Sequence, residues 1–188
     1  FMKINKMLLC ALGYALTTSV VPSVASAAEG TLSGQVGVQV TIKEGCAVTN
    51  GSSSSGTNSW GTLNFGTYSD LTAAINGTVL GSDGTNAVTI TCTEGLTPTM
   101  TLDGGLNEAS DVRNMVNTSG TTTTDIAYHL YSDANHTSEI EPGGQVSLTA
   151  DGTAQSIPIY GRIVPDGQTT TTPASGTYSD TVTATLSW

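Results

Sequence analysis

One stretch near the N-terminus is decisive for the fold: residues 34–46 read Gly-Gln-Val-Gly-Val-Gln-Val-Thr-Ile-Lys-Glu-Gly-Cys. Apolar β-branched residues fall at every second position and share one face of an extended chain. This apolar stripe consists of Val36, Val38, Val40 and Ile42. Glu44 takes the next position of that face and separates the stripe from the segment that resumes at Cys46. The pattern fits the first strand of a sandwich, and it also fits a separate extended piece with its own function.

The same two-residue alternation continues through the rest of the chain. Apolar residues alternate mainly with Thr and Ser in six further segments: 88–92, 99–102, 126–131, 146–149, 157–163 and 181–188. Turns rich in Gly, Pro and Asp separate them, and we find no 3.6-residue period of helix length. Thr on the wet face and aliphatic residues on the other suit half-buried antiparallel strands. The chain is therefore predicted to be an all-β sandwich, with a Ser/Gly-rich loop from Thr49 to Asn58.

The charge balance excludes several classes of partner. The chain has 188 residues with 5 Lys and Arg against 15 Asp and Glu, which gives a formal net charge of −10. Nucleic acids and anionic membrane surfaces are polyanions, so neither is expected to bind. Only 11% of the residues are charged, compared with roughly 25% in ordinary soluble domains. This composition is typical of secreted β-proteins.

Residues 1–27 have the pattern of a secretory signal peptide. A basic start with Lys3 and Lys6 precedes a mostly apolar run, and Ala25-Ser26-Ala27 fits a signal peptidase site. A membrane anchor is the weaker interpretation, because the apolar run is shorter than ~20 residues and contains hydroxyl groups. Cleavage after Ala27 would remove both lysines and so change the net charge from −10 to −12.

Cleavage would also remove Cys10 and leave Cys46 and Cys92 as the remaining cysteines. Two cysteines exported to an oxidising compartment can pair. A disulfide that closes this loop contributes roughly 4 kcal/mol in the chain-entropy model. Zinc is a poor alternative, because no Cys or His lies at ligand spacing beside either cysteine.

Other candidate sites are weak. His129 and His136 have no nearby Ser or Cys nucleophile with an orienting carboxylate, so no catalytic residue is predicted. Residues 103–111 are acidic but lack EF-hand spacing, so no metal site is predicted, and no cofactor motif is found. Three tyrosines fit a sugar site, although aromatic residues that alternate on strands more often pack: Tyr128, Tyr131 and Tyr160.

Five stretches follow one another along the chain: residues 34–46, Gly61-Thr-Leu-Asn-Phe-Gly66, Val88-Thr-Ile-Thr-Cys92, Pro158-Ile-Tyr-Gly-Arg162 and Gly176-Thr-Tyr-Ser-Asp180. The ordered set resembles the spore coat protein U domain family, and within it the subunits of archaic chaperone–usher pili, close to the Csu-type pilins. No single stretch is specific to the family. The order of the set carries the resemblance.

The resemblance implies an incomplete immunoglobulin-like β-sandwich, a pilin fold that lacks its last strand and carries an N-terminal donor-strand extension. It divides the chain into a signal peptide at 1–27, the extension at 28–43 and a spore coat protein U-type pilin domain at 44–188. The apolar stripe would be the donor strand. The strand with Val182, Ala184 and Leu186 would form one groove wall and bind the chaperone, and the Cys46 strand would form the other. The sequence ends just after the strand with Val182, Ala184 and Leu186, so we expect no further strand.

The resemblance also implies a structural pilus subunit that is not an enzyme and is assembled by donor-strand exchange. Its partners would be like subunits in a homo-polymer, other pilus subunits, a periplasmic chaperone and an outer-membrane usher. It would pass through the periplasm to the cell surface and support adhesion and biofilm formation. The alternatives are a minor or tip adhesive subunit, a secreted carbohydrate-binding β-sandwich and a spore coat component.

Overall fold

The structure is a computed structural model that describes residues 33–49, 51–54, 57–81, 83–118 and 124–188. The predicted signal peptide lies outside the described residues. The chain divides into two units between Val40 and Thr41. Of the first unit only residues 33–40 are described, and they have no regular secondary structure.

The second unit is built almost entirely from strands. In chain order these are β1 (Cys46–Thr49), β2 (Ser52–Ser54), β3 (Thr57–Ser59), β4 (Thr62–Leu63), β5 (Ile75–Leu80), β6 (Thr89–Cys92), β7 (Thr99–Leu102), β8 (Arg113–Asn117), β9 (Asp125–Tyr131), β10 (Gln145–Ser147), β11 (Gln155–Ser156), β12 (Tyr160–Ile163), β13 (Tyr178–Ser179) and β14 (Ala184–Ser187). The helical structure of the described residues is one 3-10 turn at Pro165–Gly167. In this part of the chain no helix has the length and apolar character needed to cross a membrane.

The strands form one large sheet, two small three-stranded sheets and the two-stranded β2–β3 pair. The large sheet has six strands in the order β13-β8-β9-β12-β5-β4, and the small sheets have the orders β1-β6-β11 and β10-β7-β14. Backbone hydrogen bonds join the small sheets, because Leu148 N–H donates to Pro98 and Ala150 N–H donates to Leu96, each at 2.9 Å. Residues 88–102 and 144–157 therefore form one long antiparallel ribbon, which we call the central ribbon.

One hydrophobic core takes side chains from the large sheet and the central ribbon. The buried members are Leu71, Ile75, Val88, Ile90, Met100, Leu102, Ile126, Tyr128, Leu130, Ile140, Ile157 and Ile163. Burial alternates along β6 and β7, as period-two patterning requires. The predicted all-β sandwich class is confirmed.

The structure differs from the sequence prediction at two places. The sequence predicts a loop for the Ser/Gly-rich segment, but β2 and β3 pair there as antiparallel strands. Backbone pairing needs no apolar side chain, so the polar composition gave no strand pattern there. Trp188 continues the alternation of β14, yet its side chain is 59% exposed.

Arg113 is a buried cation held by backbone carbonyl groups. Its side chain is 2% exposed, and its guanidinium donates to the carbonyl oxygens of Leu102, Asp103, Ile140 and Glu141. Burial lowers the pKa of Arg113 from its ordinary value, yet arginine remains charged in proteins. These bonds tie β8 of the large sheet to the end of β7 and to the segment before β10.

Candidate functional site

The apolar stripe is strongly exposed. Val36, Val38, Val40 and Ile42 are 88%, 93%, 80% and 77% exposed, respectively. Within the described part of the chain, seven large apolar side chains are at least 59% exposed, and four of them fall in residues 36–42. Scattered exposed apolar residues are ordinary, but a contiguous run indicates a surface that binds another molecule.

A disulfide fixes β1 to the central ribbon. Cys46 lies directly opposite Cys92 in the antiparallel β1–β6 pair, and their sulfur atoms are 2.04 Å apart. Gly45 N–H also donates to Oγ1 of Thr93 at 3.2 Å, and Thr93 N–H donates to the Gly45 carbonyl at 3.0 Å. The two cysteines predicted to pair are therefore joined in the structure.

The strands β1 and β14 lie along the same edge of the central ribbon. β14 pairs with β7 and β1 pairs with β6, both on the flank opposite residues 144–157. β14 runs beside the ribbon from Leu102 to Thr99, and β1 runs beside it from Cys92 to Thr89. The two strands predicted as groove walls thus follow one another along one edge, which we call the β1–β14 edge. Among the described strands, neither has a partner on its outer side.

The core is only partly covered at the β1–β14 edge. Val48 of β1 and Val182, Ala184 and Leu186 at β14 pack against the core but are only partly buried. In the middle of the ribbon, by contrast, Met100 is fully buried. Burial therefore decreases towards this edge, and an added strand with apolar residues on its core-facing side would complete it.

Two aspartates position the chain where it crosses from β13 to β14. Asp180 accepts hydrogen bonds from the backbone N–H groups of Leu106 and Asn107 at 3.0 and 3.2 Å, and from the Tyr128 hydroxyl at 2.7 Å. Asp103 accepts a hydrogen bond from Thr183 N–H at 2.7 Å. These carboxylates hold the start of β14 against the rest of the domain.

The titration of these groups follows from their contacts. Burial raises the pKa of Tyr128, and its hydrogen bond to Asp180 raises it further, so the phenol stays protonated. Burial also raises the pKa of Asp103, but hydrogen bonds from Thr183 and Gly105 outweigh it, and the pKa is lowered.

Sequence reasoning did not identify Asp103 or Asp180 as positioning residues. The available signal was the Gly176–Asp180 stretch, which ends at the second of them.

The remaining sequence candidates lie in different surroundings. His129 has an orienting carboxylate after all, since its Nδ1 lies 2.6 Å from Oε1 of Glu139. No hydroxyl or thiol of the described residues is hydrogen-bonded to that ring. The described residues also hold no group of three or more His, Cys, Asp or Glu side chains that could bind a metal ion. The three tyrosines separate, because Tyr128 faces the core while Tyr131 and Tyr160 pair on the outer face of the large sheet.

Comparisons with known proteins agree with the family resemblance. The Spore Coat Protein U domain model matches residues 32–185. The chain is 34% identical to Protein U of Myxococcus xanthus over 138 residues, which cover 68% of this chain and 72% of that protein. A solved structure is also similar, with a TM-score of 0.47 and 18% identity: the CsuC–CsuE chaperone–tip adhesion subunit pre-assembly complex from archaic chaperone–usher Csu pili of Acinetobacter baumannii. The match covers 79% of this chain and 40% of that one. The chain belongs to the Spore Coat Protein U domain family.

Proposed function

We propose that the chain is a structural subunit of a surface pilus, assembled by the chaperone–usher pathway through donor-strand exchange. The observation that carries the proposal is the exposed apolar stripe in a chain that also has an incompletely covered strand edge. Each feature supplies what the other lacks. The stripe offers an unburied apolar face, and the β1–β14 edge offers backbone and core without a strand partner.

The stripe has the chemistry of a donor strand. Four β-branched or aliphatic side chains on one face bury into pockets, while Gly37, Gln39 and Thr41 face the other way. Burying each apolar side chain is worth about 1.5–3 kcal/mol, so the four contribute roughly 6–12 kcal/mol as an upper bound. Main-chain hydrogen bonds to the receiving edge add affinity, and the alternate side chains add specificity.

The β1–β14 edge has the chemistry of the receiving site. Val182, Ala184 and Leu186 present a half-covered core, and β14 lacks a strand partner on its outer side within the described residues. An extended segment of nine residues, such as 34–42, spans roughly 30 Å. That length lets one partner strand follow β14 and continue towards β1. An exposed strand edge of this kind would aggregate unless it were covered.

Because the exposed β1–β14 edge must be covered before assembly, its partners bind in a fixed order. A periplasmic chaperone covers the edge first, and the extension of the next subunit replaces it at the outer-membrane usher. The product is a homo-polymer, with or without other pilus subunits, on the cell surface. There it would support adhesion and biofilm formation.

A single charge on the stripe tests the proposal. We expect Val38→Asp or Val40→Asp to prevent fibre formation while the protein still co-purifies with its chaperone, because a buried, unpaired carboxylate costs several kcal/mol. Electron microscopy of shear-released fibres and pull-down with tagged chaperone would measure the two effects.

The matched control is Gln39→Asp, which adds the same charge to the opposite face of the same segment. This variant should form normal fibres. Deletion of residues 28–43 should abolish assembly in the same way as Val38→Asp. Normal fibres from the deletion or from Val38→Asp would contradict donor-strand exchange through this stripe, and failure of Gln39→Asp would contradict the assigned face.

A further inference from the structure

A cleft lies on the outer face of the large sheet, in the other layer from the β1–β14 edge. It has a volume of about 280 Å³ and is lined by Asn76, Gly77, Thr78, Ala134, His136 and Tyr160. Neighbouring strands supply its floor, because Tyr160 of β12 lies opposite Thr78 of β5. Ligand pockets range over roughly 300–1,000 Å³, so this cleft suits one small unit of a larger ligand.

Aromatic rings form a corner of the cleft. The His136 ring lies 6.5 Å from the Tyr160 ring, measured between centroids, at an interplanar angle of 80°. The His136 ring also meets Tyr131 edge-on, with ring centroids 5.2 Å apart. Because the His136 and Tyr160 rings are nearly perpendicular, they offer a ligand two apolar surfaces that meet at a corner.

The polar side chains of the cleft have unused hydrogen-bonding capacity. The Asn76 amide, the Thr78 hydroxyl and the Tyr160 hydroxyl make no hydrogen bond to another residue in the described part of the chain. His136 Nε2, in contrast, is buried and has no partner among the described residues. An amide and two hydroxyls offer both donors and acceptors at short range. A neutral ligand that carries several hydroxyl groups matches this set.

The loop that carries His136 is preformed. Asp133 accepts hydrogen bonds from the backbone N–H groups of Asn135, Thr137 and Ser138, and Ser132 N–H closes the loop on Ser138. His136 itself has a φ of 57°, a left-handed conformation that non-glycine residues rarely adopt. Residues held in this way cluster at binding sites.

We propose that this cleft binds one neutral pyranose unit of a glycan. The sugar ring lies against the aromatic corner, and its hydroxyl groups bond to Asn76, Thr78 and Tyr160. No Lys, Arg, Asp or Glu side chain lines the cleft, so no lining residue of these types would pair with the carboxylate of an acidic sugar. The site goes beyond the proposed pilus function and does not depend on donor-strand exchange.

Glycan-array binding by the full chain, followed by calorimetry with the neutral hexoses and their oligosaccharides, tests this proposal. We expect neutral glycans to bind and a uronic acid of the same ring size to bind more weakly. Tyr160→Ala should weaken binding at least tenfold, and Asn76→Ala or Thr78→Ala about fivefold each. The matched control is Tyr68→Ala, which removes an exposed tyrosine outside the cleft and should leave binding unchanged.

Several outcomes would overturn the proposal: no neutral glycan bound by the wild-type chain, a preference for the uronic acid, or unchanged binding in the cleft variants. If Tyr160→Ala fails to fold, the exposed residues Asn76 and Thr78 decide the question. Val38→Asp, which blocks assembly in the pilus proposal, should bind the glycan as the wild type does. The two proposals can therefore fail separately.

Discussion

At the residue scale, Arg113 joins segments that lie far apart in the sequence. Its guanidinium donates to the carbonyl groups of residues 102–103 and of residues 140–141. Only a planar fork of five N–H donors can serve such a set, and the single ammonium of lysine cannot. The side chain is a structural clamp inside the core.

We expect Arg113→Met to lower the free energy of unfolding by about 3 kcal/mol or more, because it leaves buried carbonyl acceptors without donors. Arg113→Lys should recover only part of the loss. Urea unfolding followed by tryptophan fluorescence would measure both. The control is Arg162→Met, since Nε of Arg162 has no partner among the described residues, and its effect should be smaller. Equal effects from the two methionine variants would contradict the clamp.

At the scale of elements, Gly161 explains why a glycine lies inside β12. A Cβ atom at this position would lie 2.5 Å from Cδ1 of Leu63 and 2.9 Å from the Phe65 ring. The missing side chain therefore makes room for the segment around β4 to pack on the large sheet. Phe65 in turn meets Tyr128 edge-on, with ring centroids 6.3 Å apart.

We expect Gly161→Ala to destabilise the domain by about 1–3 kcal/mol, the usual effect of overpacking a close contact. Thermal unfolding would measure it. Gly45→Ala is the control, because a Cβ at Gly45 meets nothing within 4 Å and should leave stability nearly unchanged. A Gly161→Ala variant as stable as the wild type would show that the Leu63 and Phe65 segment can move aside freely.

At the scale of the whole molecule, carboxylates that accept hydrogen bonds make stability depend on pH. Burial raises the pKa of Asp103, but hydrogen bonds from Thr183 and Gly105 outweigh that effect, so the pKa lies below its ordinary value of 3.8. A carboxyl with a lowered folded-state pKa stabilises the fold above its unfolded pKa, and that contribution is lost as pH falls through the folded value. We therefore expect stability to fall below about pH 4.

Asp103→Asn should be less stable than the wild type at pH 7 and should lose less on acidification. Urea midpoints between pH 7 and pH 2 would measure this difference. Asp125→Asn is the control, because its exposed carboxylate accepts no hydrogen bond from another described residue, and its difference in stability from the wild type should be smaller. If the urea midpoints of the wild type and of Asp103→Asn fell in parallel as the pH was lowered, that result would contradict the role of this carboxylate.

The sequence by itself determined the strand faces, the pair of cysteines, the family and the apolar stripe. Each of these is local or compositional: a period of two sets which side chains share a face, and residue counts set the charge. Thus Ile90 and Met100 could be assigned to the core from the neighbours on either side of them. The sequence predicts a loop from Thr49 to Asn58 and misses β2 and β3, because their backbone pairing leaves no apolar pattern.

The tertiary structure decided what depends on contacts between distant segments. Asp180 meets Leu106 across 74 positions, and Arg113 meets Glu141 across 28. No local period encodes such pairs, since the hydrogen-bond partner is chosen by how the strands stack and not by the spacing of residues. The same reason applies to the β1–β14 edge and to the corner of His136 and Tyr160. Both exist only because strands far apart in the sequence lie side by side.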